Sequence, residues 1–188
     1  MTSSIIDNSD SSIDITTGHE YRIESDARLH YLLAKEKLQR IASWHKQSQP
    51  ATSFVFYLPG PDGTAMEAPP AEGDLVVIEA PDLARHNCRS WFIIDRIAEN
   101  QSGNSEEYQF LMRSIMPPNS PRNLTREATL FSIVLRRSGE RLTVELRVGE
   151  ASRLDCTSGQ QPGDRLSQMR VDLQAIADDL VKPANGLN

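Results

Sequence analysis

The sequence has few cysteines, no long apolar run and no leader-like N-terminus. Its 188 residues include two cysteines, Cys88 and Cys156, which lie far apart and outside any C-x-x-C pair. Such sparse use argues against a disulfide scaffold and predicts free thiols in a reducing compartment. No segment approaches the roughly 20 consecutive apolar residues of a membrane-spanning helix, and residues 1–20 lack both Lys and Arg and the apolar core of a secretory signal. These absences predict a cytoplasmic protein, with export without a leader as the alternative.

Catalytic motifs are also missing. The chain has no G-x-S-x-G elbow, no phosphate-binding G-x-x-x-x-G-K-[ST], no H-E-x-x-H and no dinucleotide fingerprint, which are the recurring signatures of small enzymes. His86 and Cys88 are close enough in sequence to suggest a thiol–imidazole pair, but no orienting carboxylate or third metal ligand accompanies them. We therefore predict a surface loop there, no catalytic residue, no metal and no cofactor. The sequence favours a protein without enzymatic activity.

The charge distribution bears on the class of partner. A net charge of −6 argues against nucleic acid as a partner, because a protein that coats phosphates needs a positive surface. The charge is uneven, however, since residues 113–147 hold seven Arg against three Glu. This basic stretch is the one electrostatic indication of a binding site.

The domain organisation is predicted from composition. Residues 1–20 are rich in Ser, Thr and Asp with isolated Ile residues, which is typical of a flexible acidic tail. Residues 21–183 are expected to form a single α+β domain, and 184–188 a disordered C-terminus.

The α+β prediction rests on a change of hydrophobic period along the chain. Residues 25–47 have helical spacing, with Ser25 or Asp26 as cap, Tyr31 among the apolar positions, and Leu29 and Leu33 broadening the apolar face. Six β-type runs follow between turn residues, at 54–58, 75–78, 91–97, 108–115, 129–136 and 141–148. A second helix is predicted from a cap at Asp164, with one apolar stripe that needs a sheet to cover it. The expected architecture is an antiparallel twisted sheet of about six strands, flanked by an N-terminal and a C-terminal helix. A partly closed barrel is the alternative.

The candidate binding residues are three arginines near the last hairpin, Arg136, Arg137 and Arg141. Arg137 and Arg141 have the R-x-x-x-R spacing found in PilZ domains, which bind a cyclic dinucleotide through guanidinium groups. The segment 155–159 lacks the spacing of that family's second element, and too few strands follow it, so the family is not assigned. The other interpretation is a hairpin whose arginines solvate its outer face and pair with Glu140 and Glu145.

Two further features concern the sheet interior. Asp95 lies in a mostly apolar strand, and we predict that it is buried in a salt bridge near the strand end. The early strands are rich in aromatic residues, which either fill a core or line an apolar cup for a small ligand. The aromatic residues concerned are Phe54, Phe56, Tyr57, Trp91, Phe92, Tyr108 and Phe110.

The function predicted from these observations is non-enzymatic binding of another protein in a bacterial cell, as an adaptor, chaperone or accessory subunit. The first alternative is a protein or enzyme that holds a small apolar ligand in a cup of the sheet. The second is a sensor of anions or nucleotides that uses the three arginines.

Overall fold

A computed structural model describes residues 12–44, 54–60, 62, 64–80, 88–117, 128–149 and 162–183, with only the backbone of residues 80, 88 and 162–166. The chain order begins with strand β1 (Ile13–Glu20), helix α1 (Glu24–Leu38) and a short 3₁₀ helix (Ile41–Ser43). Seven strands follow: β2 (Val55–Pro59), β3 (Ala65–Met66), β4 (Leu75–Ala80), β5 (Cys88–Ser102), β6 (Ser105–Ile115), β7 (Leu130–Ser138) and β8 (Arg141–Val148). Helix α2 (Pro162–Val181) comes last.

The described strands form one antiparallel sheet of eight, in the order β1-β8-β7-β6-β5-β4-β2-β3. The predicted α+β class with an antiparallel sheet and two helices is therefore confirmed. The sheet is open, with β1 and β3 at its edges, so the barrel alternative is wrong. The six predicted strands are all present, and the two that were missed are β1 and β3.

Strand β1 corrects the predicted tail. Residues 13–20 pair with the whole of β8, from Ile13 opposite Val148 to Glu20 opposite Arg141. Ile13 and Ile15 are buried while Thr16 is exposed, which is the alternation of a strand with one covered face. The predicted flexible tail is therefore wrong for these residues, whereas 1–11 and the predicted disordered C-terminus at 184–188 lie outside the described residues.

Both helices pack on the same face of the sheet. Helix α2 lies against β1 and β8, and α1 lies against β7, β8 and α2. The apolar stripe predicted for α2 is buried as expected at Met169, Leu173, Ile176, Ala177 and Leu180. In the last hairpin, Leu142 and Val144 point to the helices and alternate with exposed or half-buried neighbours, as the pattern of polar and apolar residues predicted.

The ends of the two helices differ from the prediction. Helix α1 begins at Glu24 after Ile23, which provides no side-chain cap, so Ser25 and Asp26 lie inside the first turn rather than before it. The helix stops at Leu38 and the chain continues as a 3₁₀ turn. Helix α2 begins at Pro162, a residue suited to the first turn because it has no N–H that needs a partner there. Asp164 therefore lies inside α2 rather than at the position before it.

Candidate functional site

Helix α1 is apolar on two sides. Its inner side is formed by Ala27, His30, Tyr31, Ala34 and Leu38, all buried against the sheet and α2. This spacing of three and four residues is that of a single buried stripe.

The outer side of α1 carries three leucines in the middle of the helix, which we call the leucine face. The exposed fractions are 43% for Leu29, 49% for Leu32 and 36% for Leu33. The expectation that Leu29 and Leu33 broaden the buried side is wrong, because both are exposed. At about 100° per residue Leu29 falls opposite Ala27 and Leu38, and Leu33 lies beside Leu29. The sequence could have indicated this surface through the width of the apolar region around α1. A helix that packs on one sheet needs one apolar stripe rather than two.

Charged residues surround the leucine face at both ends of the helix. Asp26 and Arg28 precede it, and Glu36 and Arg40 follow it. Arg28 lies 3.6 Å from Glu106, with 60% of its side chain exposed. Arg40 pairs with Glu36, and these side chains are 67% and 56% exposed. Such solvated pairs contribute about 1 kcal/mol at most, so these groups can exchange partners at little cost.

A groove of about 420 Å³ runs beside the leucine face, between α1 and the end of α2. Its apolar wall includes Leu33 and Leu180. On its rim the Lys37 ammonium lies 2.8 Å from Asp179, while Lys182 forms no side-chain ion pair with the residues that the structure describes. The complete lining is His30, Leu33, Ala34, Glu36, Lys37, Arg40, Ser43, Leu180 and Lys182.

His30, one of the residues that line the groove, belongs to a stack of aromatic rings that joins β1, α1 and α2. The imidazole of His30 stacks on Tyr21 with ring centres 4.7 Å apart, and His19 meets the same tyrosine edge-on at 4.6 Å. The Tyr21 hydroxyl donates a 2.9 Å hydrogen bond to the Val181 carbonyl, and burial raises the pKa of Tyr21 to about 12. Burial also lowers the pKa of His30, and the positive charges of His19 and Lys37 oppose its protonation further, against the favourable effect of Asp26.

We expect this stack to make stability depend on pH. Because the folded pKa of His30 lies below its unfolded value of about 6.5, the folded chain binds fewer protons between those two values. The free energy of unfolding should therefore be highest above pH 6.5 and fall as the pH drops through the folded pKa. In His30→Phe, which keeps a ring but cannot titrate, urea unfolding between pH 7.5 and 5.5 should show a smaller loss. An equal loss in both proteins would contradict this origin.

The three candidate arginines do not converge. Arg137 points to the helix-covered face and is 3% exposed, while Arg136 and Arg141 lie on the opposite face. Arg136 pairs there with Glu107 at 2.7 Å and with Glu145 at 3.6 Å. Arg141 has no side-chain ion pair within the described ranges. The expectation that all these arginines solvate the outer face is therefore wrong for Arg137.

Arg137 occupies a cluster of buried and half-buried acceptors. Its Nε donates to Glu106 at 2.6 Å, and its Nη1 donates to Glu24 at 3.2 Å and to the Gly139 carbonyl at 3.0 Å. Glu24 belongs to the first turn of α1, so this guanidinium connects that helix to β6 and β7. An anion would have to displace these carboxylates to reach Arg137. The anion sensor therefore stays a prediction without further support.

The remaining candidates have separate outcomes. Asp95 lies beside an irregularity between β5 and β6 and is paired with Arg113 at 2.8 Å. The predicted salt bridge is confirmed, but Asp95 is exposed rather than buried, and it lies in the middle of β5 rather than near the strand end. His86 and the side chain of Cys88 lie outside the described residues, as does Cys156.

The aromatic residues of the early strands divide between the two faces. Phe54, Phe56, Phe92, Tyr108 and Phe110 belong to the core. Tyr57 and Trp91 are only half-buried and lie on the opposite face.

Two buried donors in this core lack partners. Trp44 follows the 3₁₀ helix. The centre of its indole ring lies 5.4 Å from the ring centre of Phe56 and 5.9 Å from that of Phe110. Its Nε1 and the Tyr31 hydroxyl are buried without a hydrogen-bond partner within the described part of the chain. Burial also raises the pKa of Tyr31. Buried donors without partners are uncommon and call for an explanation.

The described residues contain neither a metal-binding cluster nor a membrane-spanning helix. No group of three or more His, Cys, Asp or Glu among them could hold a metal ion. Neither described helix is long and apolar enough to cross a membrane.

Comparison with known proteins gives structural similarity only. No family model and no curated protein matches the sequence. Hypothetical protein jhp0584 from Helicobacter pylori aligns over 95% of this chain and 98% of its own, with 8% identity and a TM-score of 0.46. Ara h 8.0201 aligns over 90% and 95%, with 11% identity and a TM-score of 0.40. Protein Ms6760 from Mycobacterium smegmatis aligns over 94% and 93%, with 12% identity and a TM-score of 0.41. These values carry no information about function.

Proposed function

We propose that this protein is a non-enzymatic interaction protein, an adaptor, chaperone or accessory subunit, that binds another protein through the leucine face of α1. The observation that supports this most is the exposure of Leu29, Leu32 and Leu33 on one side of a helix whose other side is already buried. Contiguous apolar surface with a polar border is characteristic of protein interaction sites. As part of the same proposal, the protein works in the cytoplasm of a bacterial cell, and its sparse cysteines agree with a reducing compartment.

The charges around the leucine face favour a protein partner over a membrane. A helix that lies on an anionic bilayer has a predominantly basic polar face. Here Asp26 and Glu36 balance Arg28 and Arg40, and the whole chain carries −6. A balanced border around an apolar centre suits a protein surface with charges of both signs.

The shape of the surface indicates what the partner presents. Leu29, Leu32 and Leu33 are spaced as the contact residues of a helix that packs against another helix. The adjoining groove can take one or two side chains from that partner, and Lys182 stands at its rim to meet a carboxylate. We therefore propose an amphipathic helix with apolar residues at spacings of three and four as the bound element.

A peptide selection tests this function. Helical peptides displayed on phage are selected for binding to the wild-type protein. The affinities of the selected peptides for the wild type and the variants are then measured by fluorescence polarisation. Leu32→Ser should weaken binding by about 10-fold or more, because one central apolar anchor commonly contributes more than 1 kcal/mol. Leu29→Ser, Leu32→Ser and Leu33→Ser combined should abolish it.

Leu130→Ser and Val171→Ser are matched controls, because these residues are 51% and 62% exposed and lie elsewhere. Both should bind the peptides like the wild type. Each single variant should unfold within about 1 kcal/mol of the wild type, and the triple variant should still unfold cooperatively. Selected peptides that bind the triple variant unchanged would overturn the proposal. If the wild type binds phosphatidylserine vesicles but no peptide, and the triple variant does not bind the vesicles, the leucine face is a membrane-binding surface and the proposal is replaced.

One observation favours a second candidate, the binding of a small apolar ligand between the sheet and the helices. The Trp44 indole and the Tyr31 hydroxyl, which have no partner among the described residues, offer two donors to an apolar molecule with a hydrogen-bond acceptor. The chain has two tryptophans, so Trp91→Phe leaves Trp44 as the only indole emitter. Titration of that variant with decanoic acid should shift the Trp44 emission saturably. Unchanged emission at millimolar ligand would count against fatty acids as the ligand class.

A further inference from the structure

The charged residues around the leucine face follow a symmetric order along the chain. Arg28 and Glu36 lie four residues on either side of Leu32, and Asp26 and Arg40 lie seven residues on either side of Leu33. In each pair the two charges are opposite. Reversing the direction of the helix therefore places each of these four charges opposite its complement.

The same residues also separate into two rows on the helix. At about 100° per residue, Asp26 and Leu33 fall on one flank of the leucine face, and Arg40 follows on that side, two residues beyond the end of α1. Arg28 and Leu32 fall on the other flank, and Glu36 continues that row toward the centre of the face, next to Leu29. A two-fold axis between antiparallel helices brings the same flank of both copies together, so each row would meet its own reversed copy.

We propose that a second copy of this chain binds the leucine face, with the two α1 helices antiparallel. This inference rests on the proposed function, since it names a partner for the same surface. Leu32 and Leu33 of the two copies pack in the centre. On one flank Arg28 faces the second copy's Glu36, and on the other Asp26 faces the second copy's Arg40.

The contacts within one chain permit this exchange. Arg28 is 3.6 Å from Glu106 and remains 60% exposed, and the Glu36–Arg40 pair is also mostly in solvent. Such pairs hold their geometry weakly, so both arginines can turn to the second copy. The apolar contact is small, because α1 has 15 residues. An interface of this size is typical of a weak dimer, with a dissociation constant on the order of 0.1 mM.

Sedimentation velocity across about 10 μM to 1 mM of the full chain tests the dimer, with charge reversals to test its geometry. Arg28→Glu alone and Glu36→Arg alone each place like charges opposite in a self-pair, so each should dimerise at least 10-fold more weakly than the wild type. An equimolar mixture of these two variants has opposite charges on both sides of the contact. The mixture should recover dimers, and so should the double variant Arg28→Glu, Glu36→Arg.

Arg147→Glu is the matched control, because Arg147 is 66% exposed on the other face of the sheet. It should dimerise like the wild type, and Leu32→Ser should remain monomeric throughout. A monomeric wild type at 1 mM, or a mixture that stays as monomeric as its components, would overturn the self-pairing. If the selected peptides still bind through the leucines in that case, the proposed function stands and only the second copy is excluded. If the peptides also fail, both proposals fail.

Discussion

Replacing Arg137 by alanine is expected to lower the free energy of unfolding by about 3–5 kcal/mol, the usual cost of removing one member of a buried ion pair. The guanidinium is 3% exposed, and Glu106, its closest partner at 2.6 Å, is 9% exposed. Without Arg137, Glu106 keeps only the distant and solvated Arg28. The same substitution frees Glu24, so the start of α1 should also become more mobile. Urea unfolding at pH 7 measures the first effect and amide hydrogen exchange the second.

Arg136→Ala is the matched control, since Arg136 is the preceding residue and has two ion pairs on the solvated face. It should cost no more than about 1 kcal/mol. The double variant Glu106→Leu, Arg137→Met should recover most of the loss, because replacing a buried pair with apolar groups of similar volume is often neutral. Equal stabilities of the two single arginine variants would show that the buried cluster contributes nothing.

The second large effect is expected at strand β1. Ile13 and Ile15 are 1% and 4% exposed in the main core, and each Ile→Ala change in such a site costs about 2–5 kcal/mol. The double variant Ile13→Ala, Ile15→Ala should therefore lose at least about 4 kcal/mol, which is close to the whole stability of many domains. Circular dichroism during thermal unfolding would show a large fall in the midpoint or no folded state.

The same strand provides its own control. Asp14→Ala, Thr16→Ala changes the two neighbouring side chains on the solvated face. Its only described ion-pair loss is the exposed contact between Asp14 and Arg147. This variant should stay within about 1 kcal/mol of the wild type. A stable Ile13→Ala, Ile15→Ala protein would contradict this expectation. It would show that these residues are dispensable for folding, as the composition of residues 1–20 suggested.

The β7–β8 hairpin and the α2 stripe were predictable because their signals are local. Leu142 and Val144 alternate with polar residues over a full strand, and Leu173 lies in a stripe spanning several helical turns. Strand β1 carries the same alternation only at Ile13 and Ile15, followed by Thr17 and Gly18. Its other support is pairing with β8, a contact across more than a hundred residues that no local pattern reports.

The candidate sites were harder to predict for related reasons. Arg137 was expected beyond the strand end, but β7 continues to Ser138. Two-residue alternation then turns Arg137 to the same face as Leu135. Its burial is tolerated only because Glu106, opposite it on the neighbouring strand, accepts a hydrogen bond from the guanidinium and balances its charge. In α1 the apolar residues were recognised, but their spacing alone does not say that Leu29 and Leu33 face away from the sheet. That depends on which side of the helix the sheet and α2 occupy.

The position of β1 also sets the order in which the sheet can be completed during synthesis. The other described strands pair with neighbours made shortly before or after them, but among these strands β1 pairs only with β8, which is made last. On a ribosome that adds about 5–20 residues per second, Val148 is synthesised roughly 7–27 s after Ile13, the residue with which it pairs. During that interval the hydrogen-bonding edge of the growing sheet has no partner of its own, which is the arrangement that invites pairing with other chains. The first strand of the described sheet is therefore the last to be paired, and we expect a nascent chain to be most prone to pairing with other chains until synthesis has passed β8.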